Sequence, residues 1–291
     1  MADHFGERCG LLFLDNNVAA SDHFFTIIDE IKDLGFQAGS KFGPTRKQRY
    51  VDFNQGVDAR RMDGRKMRKM AEIAINPLRL AFDNTNMTGL YTKRMIQAID
   101  AGIRELSSYM LYNFVDEPVE LYRRMKVNIE LNERYDSKIF SFPMKYIPLN
   151  AKDRSFVGQH WTKRQLRGVQ IVLNVTRGIV SHRKDFFEHA FGHNEEEFNR
   201  ILLMPHPYIF YREDHERNGC IDQWNRDYSK LSRPQEKEFA ALVSDGRMSS
   251  IPRTSSQKLN SLLAHYECEK TKLETEVTLD ELPVFSTSST N

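Results

Sequence analysis

Residues 108–142 read SYMLYNFVDEPVELYRRMKVNIELNERYDSKIFSF, and this stretch decides the fold. Two runs rich in aromatic and apolar residues, Ser108–Tyr112 and Ile139–Phe142, flank a polar corner and a helical segment from about Pro118 to Glu133. A strand, a helix and a second strand of these lengths form a βα unit, in which a crossover helix joins two parallel strands. We therefore expect a parallel sheet.

The same unit recurs towards the start of the chain. Three further runs, Leu11–Leu14, Tyr50–Phe53 and Leu78–Phe82, are each followed by a polar corner and a helical pattern. Five strands are too few to close an eight-stranded barrel. The sequence therefore predicts an α/β fold, a partial parallel β/α (TIM-like) barrel over residues 1–150.

The pattern changes to helices from about residue 150. We expect a helical C-terminal region over residues 151–275, with helices at about 162–177, 185–191, 194 onwards, 235–243 and 257–271. The end of the chain is rich in Ser and Thr, so residues 276–291 are expected to form a disordered tail.

Composition limits the class of protein. The formal net charge is +2 over 291 residues, which makes a nucleic-acid partner unexpected. The sequence has no long apolar run and no secretory signal, so we expect no membrane association. The 3 cysteines are far apart in sequence, which implies no disulfide framework and favours a cytoplasmic location.

The corners after the predicted strands carry a uniform set of short amides and carboxylates. In parallel βα folds, ligands bind at the carboxyl ends of the strands. Taken one at a time, such residues are explained by helix caps and Asx turns. As a set around one rim they indicate a ligand site, formed by Asp15, Asn16, Asn17, Asn54, Gln55, Asp83, Asn84, Asn113 and Asp116.

Asp58 and Arg60 follow the second strand closely. They could form an ion pair with each other, or each could present its charge to a polar substrate. The sequence leaves both readings open.

Five segments in a fixed order resemble one family. Leu12–Asn17, Val51–Arg60 and Pro77–Asp83 look like the second, third and fourth strands of radical SAM barrels. Tyr109–Phe114 and Phe140–Lys145 look like the fifth and sixth. The resemblance covers about residues 10–150.

The resemblance implies a function and two cofactors. Radical SAM enzymes cleave S-adenosylmethionine reductively, using a four-iron four-sulfur cluster, and generate a substrate radical. It implies cofactor binding by Asp15, Asn16, Asn17, Asn54, Gln55, Asp83 and Asn113, with Asp15 contacting the methionine ammonium group. Asp58, Arg60 and Asp116 are then expected to bind a small-molecule or peptide substrate; the sequence identifies no catalytic residue.

The chain departs from the family in its cysteines. Cys9, Cys220 and Cys268 do not form the C-x-x-x-C-x-x-C loop that holds the cluster, so no cluster is expected on this chain alone. We expect the first strand and the cluster loop on a missing or separate segment, with this chain inactive by itself.

Two other classes of function stay open. One alternative is a degenerate, non-catalytic barrel that binds a small ligand or a partner. The other is a metal-dependent hydrolase using Asp15, Asp58, Asp83 and Asp116, although no histidine follows a strand.

Overall fold

The structure is a computed structural model that describes residues 6–14, 17–246, 248 and 250–269. The chain divides into two compact units. The first combines Met1–Thr162 with Val172–Ile201, and the second combines Lys163–Ile171 with Leu202–Asn291. The predicted boundaries at residues 150 and 275 stay predictions, and the predicted tail lies outside the described residues.

The described residues form seven strands and twelve α-helices. The strands are β1 (Gly10–Phe13), β2 (Lys41–Phe42), β3 (Lys47–Gln48), β4 (Tyr50–Phe53), β5 (Leu78–Ala81), β6 (Glu105–Tyr112) and β7 (Lys138–Lys145). The helices are α1 (Phe24–Asp33), α2 (Gly64–Met70), α3 (Thr88–Asp100), α4 (Pro118–Tyr135), α5 (Lys163–Val175), α6 (Lys184–Phe191), α7 (Glu195–Leu203), α8 (His206–Phe210), α9 (Arg212–Arg217), α10 (Cys220–Tyr228), α11 (Arg233–Leu242) and α12 (Gln257–Ala264).

Five strands of the first unit, β1, β4, β5, β6 and β7, pair in parallel with neighbours that follow one another in this order along the chain. β1 pairs with β4, and β5, β6 and β7 form a three-stranded sheet. Parallel bridges from Val51 to Ile75 and from Val57 to Leu80 connect the two sheets. The predicted mixed α/β class is confirmed. The described strands form small parallel sheets and do not close into a barrel.

Apolar spacing explains where the helices of the first unit pack. In α1, Phe24, Ile28 and Ile31 are buried at intervals of four and three residues. Helix α4 begins with a proline and a capping box between Glu117 and Glu120, which satisfy each other's free backbone N–H groups. These helices are the crossover segments between parallel strands.

Two local features differ from the sequence-based expectations. The basic segment after β4 predicts a helix that continues to about Ala74, but α2 ends at Met70. The reason is that Ala74 donates its N–H to the Phe36 carbonyl and Ile73 forms a bridge with Gln37. The antiparallel β2–β3 hairpin was not predicted. Its two strands have two residues each, too short to show an alternating pattern.

The second unit is helical in its described residues. Its core contains Trp224, Phe239, Leu259, Leu262, Leu263 and Tyr266, all fully buried. Arg164 and Glu269 form an ion pair in which neither side chain is exposed, and the carboxylate also accepts the backbone N–H groups of His206 and Met248. The last predicted helix is shorter than expected: α12 ends at Ala264 and a 3-10 turn follows over His265–Glu269.

Candidate functional site

A pocket lies at the carboxyl ends of β4 and β5 and will be called the rim pocket. Its volume is about 250 Å³. Its lining residues come from the corners after β1, β4 and β5, which the parallel pairing places at one edge. Five of the predicted site residues line it, namely Asn17, Gln55, Asp58, Arg60 and Asp83.

Asp58 and Arg60 form the ion pair that the sequence left open. The Arg60 Nε and Nη2 atoms donate to the Asp58 carboxylate at 2.8–3.0 Å, and this pairing lowers the pKa of Asp58. Asp58 also caps the 3-10 turn Ala59–Arg61 by accepting the Arg60 N–H. Its own N–H donates to the Asn17 Oδ1 atom at 3.3 Å, which joins the corners after β1 and β4. The ion pair therefore stabilises the wall of the rim pocket. The Arg60 side chain is 70% exposed to solvent, so it is also accessible to a ligand.

Asp83 connects the rim pocket to a neighbouring one. This second pocket, called the acidic pocket, has a volume of about 150 Å³ and contains Asp83, Asp116 and Glu120 among its lining residues. One oxygen of Asp83 accepts the Leu111 N–H at 2.7 Å, which fixes the carboxylate, and the side chain is otherwise exposed. Asp83 can therefore accept a hydrogen bond from a ligand in either pocket.

Asp116 lies in the acidic pocket beside a buried arginine. The Arg124 Nη2 atom donates to the Asp116 carboxylate at 2.7 Å, and the Phe114 N–H donates to its other oxygen. Burial raises the pKa of Asp116, against the opposing effects of the Phe114 hydrogen bond and the Arg124 charge. Both carboxylate oxygens are thus already bonded to the protein.

Arg124 was missed by the sequence analysis. Its side chain is completely buried, and its Nη1 atom donates to the backbone carbonyls of Phe82 and Leu111, which belong to the ends of β5 and β6. An arginine on a helix with many polar residues is normally expected to be exposed to solvent. A single sequence contains no signal that marks Arg124 as buried, although its side chain links the ends of β5 and β6.

Asn113 and Asn54 do not line either pocket. Asn113 is buried with φ 71°, and its amide bonds the backbone of Tyr146, Phe156 and Gly158. These hydrogen bonds fix the loop over Asn113, and its expected contact with a cofactor stays a prediction. Asn54 contributes its carbonyl, which accepts the Tyr109 hydroxyl at 2.9 Å.

Asp15 and Asn16 lie outside the described residues. The expected contact of Asp15 with an ammonium group therefore stays a prediction.

A second charged group lies on the sheet, towards the amino end from the rim. Asp52 of β4 and Arg79 of β5 form a two-bond ion pair, with distances of 2.9 and 2.8 Å. The Arg79 guanidinium also lies 5.5 Å from the Tyr109 ring and 5.6 Å from the Phe142 ring. The sequence does carry a signal here, since one charged residue stands inside each of two short apolar strands.

The described thiols do not fit a three-cysteine cluster. Cys9 precedes β1, at the end of the strand away from the rim, where its Sγ atom donates to the Gln48 carbonyl. Cys220 and Cys268 are in the second unit, and burial raises the pKa of Cys268 to about 11. No group of three or more His, Cys, Asp or Glu side chains is arranged to hold a metal ion within the described ranges.

Comparison with known proteins gives no family for this chain. No protein-family model matches it, and no curated protein matches it significantly. Among the helices of the described residues, none has the length and apolar character needed to cross a membrane.

Proposed function

We propose that this chain is the main part of a radical-SAM-type β/α domain that binds S-adenosylmethionine at its strand ends. The observation that supports this proposal is the rim pocket, where five residues singled out from the sequence meet beside parallel strands. The compartment we propose is the cytoplasm, and the substrate we propose is a small molecule or a peptide.

The rim residues fit the chemistry of S-adenosylmethionine. Gln55 offers an amide, Asp83 offers a carboxylate oxygen, and Arg60 offers exposed guanidinium donors. These groups can bond an ammonium group, ribose hydroxyls and a carboxylate, respectively. When bound and reduced, S-adenosylmethionine supplies a 5′-deoxyadenosyl radical; the residues of this chain would bind and orient it.

The iron–sulfur cluster does not fit the described cysteines. A cluster needs several thiolates close together, and Cys9 lies at the wrong end of β1. We therefore derive no cluster chemistry from this chain and propose that the cluster loop is supplied by another segment.

The edge of the sheet offers a place for that segment. The Cys9 carbonyl accepts the N–H of Tyr50, and the Phe13 carbonyl accepts the N–H of Asn54, which follows β4 directly. The alternate residues Gly10, Leu12 and Leu14 therefore direct their backbone groups to the other side of β1. No strand pairs with that side among the described residues. The Leu12 side chain is 50% exposed and that of Leu14 is 70% exposed. We propose that a further parallel strand pairs here and extends a partial TIM-like barrel.

The alternative is a non-catalytic module that binds a small ligand or a partner. The specific observation in its favour is a formed rim pocket on a chain whose described thiols do not fit a cluster. The two proposals differ in the ligand of the rim pocket. They also differ in whether S-adenosylmethionine is cleaved once a segment with cluster ligands is added.

Calorimetric titration of S-adenosylmethionine into the intact chain tests the proposal. We expect one saturable site, and Asp83→Asn should weaken binding about tenfold or more, because a charge-assisted bond contributes about 1.5–3 kcal/mol. Asparagine retains the oxygen that accepts the Leu111 N–H, so the fold should be unaffected. Asp100→Asn, an exposed change at the end of α3, is the matched control.

The outcomes separate the two functions. No heat of binding, or the same loss in both variants, would overturn the cofactor assignment. If S-adenosylmethionine binds at Asp83 but a cluster-bearing first strand supplied in trans gives no 5′-deoxyadenosine with dithionite, the non-catalytic module is correct.

A further inference from the structure

The acidic pocket has a lining of which the proposed cofactor uses only Asp83. Each of its three carboxylates is bonded to a group that lines the same pocket. The pairs are Asp83 with the Leu111 N–H, Asp116 with the Arg124 guanidinium, and Glu120 with the Thr85 hydroxyl. Because both members of every pair line this cavity, the three carboxylates surround it.

The pocket carries an excess of negative charge. Asp116 and Arg124 balance each other, since the guanidinium lies 2.7 Å from the carboxylate. Asp83 and Glu120 form no ion pair within the described residues, and Arg60 belongs to the wall of the rim pocket and does not line this one. Two negative charges therefore face the cavity without a cation that lines it.

Glu120 is ionised at neutral pH. Burial acts to raise its pKa, but the hydrogen bonds from the Thr85 hydroxyl and the Glu117 N–H outweigh burial and hold the pKa below its usual value. Those bonds use one lone pair on each oxygen, and a carboxylate has about four acceptor sites. Glu120 can therefore still accept from a charged donor in the pocket.

Exposed apolar side chains at the same pocket give an independent sign of a ligand. Phe114 is 47% exposed and Val115 is 62% exposed, and both line the pocket. The Phe114 ring centroid lies 4.6 Å from that of Tyr146, which lies 5.6 Å from that of Phe156. An aromatic strip therefore continues from the pocket along the loop after β7. Neighbouring exposed apolar side chains of this kind mark contact surfaces.

We propose that the acidic pocket binds a basic side chain of a peptide substrate, with an apolar neighbour of that residue on the aromatic strip. As a substrate site this inference rests on the proposed function, and as a binding site it does not. The carboxylates complement the cation through charge-assisted hydrogen bonds, and the exposed Phe114 ring adds a surface over which a cation is attracted. The volume of about 150 Å³ has room for roughly ten waters, and hence for the end of an arginine side chain.

Two features of the pocket specify this substrate further. Because Asp83 lines both pockets, the bound side chain would lie directly beside the proposed cofactor. The strip extends beyond the cavity as far as Phe156, so a peptide makes contacts that a small amine cannot reach.

Calorimetric titration of the full chain with the blocked peptide acetyl-Leu-Arg-Leu-amide, without S-adenosylmethionine, tests the proposal. We expect one saturable site per chain. The same peptide with citrulline in place of arginine keeps the shape and loses the charge, so it should bind at least tenfold more weakly. Agmatine, which has the guanidinium without the peptide, should bind at least fivefold more weakly than the peptide.

Variants of the chain place the peptide in this pocket. Glu120→Gln should weaken peptide binding about tenfold, and its midpoint of urea unfolding should stay unchanged because glutamine also completes a capping box. Glu130→Gln removes an exposed carboxylate from the same helix, outside the pocket, and should leave the affinity unchanged. Val115→Ser should weaken binding of the peptide and leave that of agmatine unchanged.

The outcomes decide between this proposal and its competitors. No saturable binding of the arginine peptide, equal affinity for the citrulline peptide, or equal losses in Glu120→Gln and Glu130→Gln would overturn it. Agmatine that binds as tightly as the peptide would also overturn it, since the site would then take a small amine. Binding of S-adenosylmethionine without binding of the peptide contradicts this inference alone, and the reverse result contradicts the proposed function alone.

Discussion

The Arg124→Met substitution gives the sharpest test of how the strand ends are held. It leaves the Asp116 carboxylate, 9% exposed, without the guanidinium that lies 2.7 Å away. It also removes the donor to the Phe82 and Leu111 carbonyls. Breaking a buried ion pair by removing one partner costs about 3–5 kcal/mol. We expect the free energy of unfolding of the first unit to fall by about that amount.

Fluorescence during urea unfolding can measure this loss in one unit. The chain has 2 tryptophans, and Trp161 donates its indole N–H to the Asp116 carbonyl at 2.9 Å. In a Trp224→Phe background the signal therefore reports the neighbourhood of Asp116. Arg123→Met is the matched control, because Arg123 pairs with Glu195 at the surface and such pairs contribute about 0–1 kcal/mol.

The loss in free energy of unfolding of Arg124→Met should become smaller as the pH falls. Burial already raises the pKa of Asp116, and removing Arg124 takes away a charge that opposes this shift. For an acid whose pKa is higher in the folded state, ionisation destabilises the fold as the pH rises through that pKa. The deficit of Arg124→Met should therefore shrink between pH 7 and pH 5. Two results would refute the reasoning. One is a loss in free energy of unfolding below about 1 kcal/mol, equal to that of Arg123→Met. The other is a loss that does not change with pH.

Three other predictions follow from single contacts. Asn113→Ala should lower the free energy of unfolding by about 2–4 kcal/mol in urea denaturation, because it leaves one buried and two part-buried backbone groups unpaired and retains a positive φ. A loss under about 1 kcal/mol would contradict this prediction. Arg79→Leu should destabilise the chain more than the double variant Asp52→Asn with Arg79→Leu, because the single change leaves the buried Asp52 carboxylate unpaired. Additive losses of stability in a double-mutant cycle would contradict this prediction. The reactivity of Cys268 can be measured in a variant in which Cys9 and Cys220 are replaced by serine. Its rate of reaction with a thiol reagent should rise about tenfold per pH unit from pH 8 to pH 10, because burial raises the pKa of Cys268 to about 11. A rate that levels off below pH 9 would show the pKa to be lower.

The sequence predicted the elements that repeat a strong pattern. The runs before the corners at residues 54, 83 and 113 are strands, they pair in parallel, and the intervening helices bury one apolar face. The convergence of Asn17, Gln55 and Asp83 in one pocket followed from that topology, because parallel strands end at the same edge.

The sequence could not show which polar side chains the protein itself would occupy. Asn113 and Asp83 have the same kind of position after a strand, but the loop at Tyr146–Gly158 folds over Asn113 and takes up its amide. Likewise, Arg124 and Arg123 are adjacent on α4, and only the packing of the helix decides that one is buried and the other exposed. Such outcomes depend on contacts between residues distant in sequence.

The central claim is that the corners after the strands form one ligand site, and hydrogen exchange measured by mass spectrometry tests it most directly. With saturating S-adenosylmethionine, we predict slower exchange in peptides covering residues 54–60 and 81–87, which line the rim pocket, and no change in the second unit. Unchanged exchange in both peptides under saturation, or protection confined to residues 202–269, would contradict the claim.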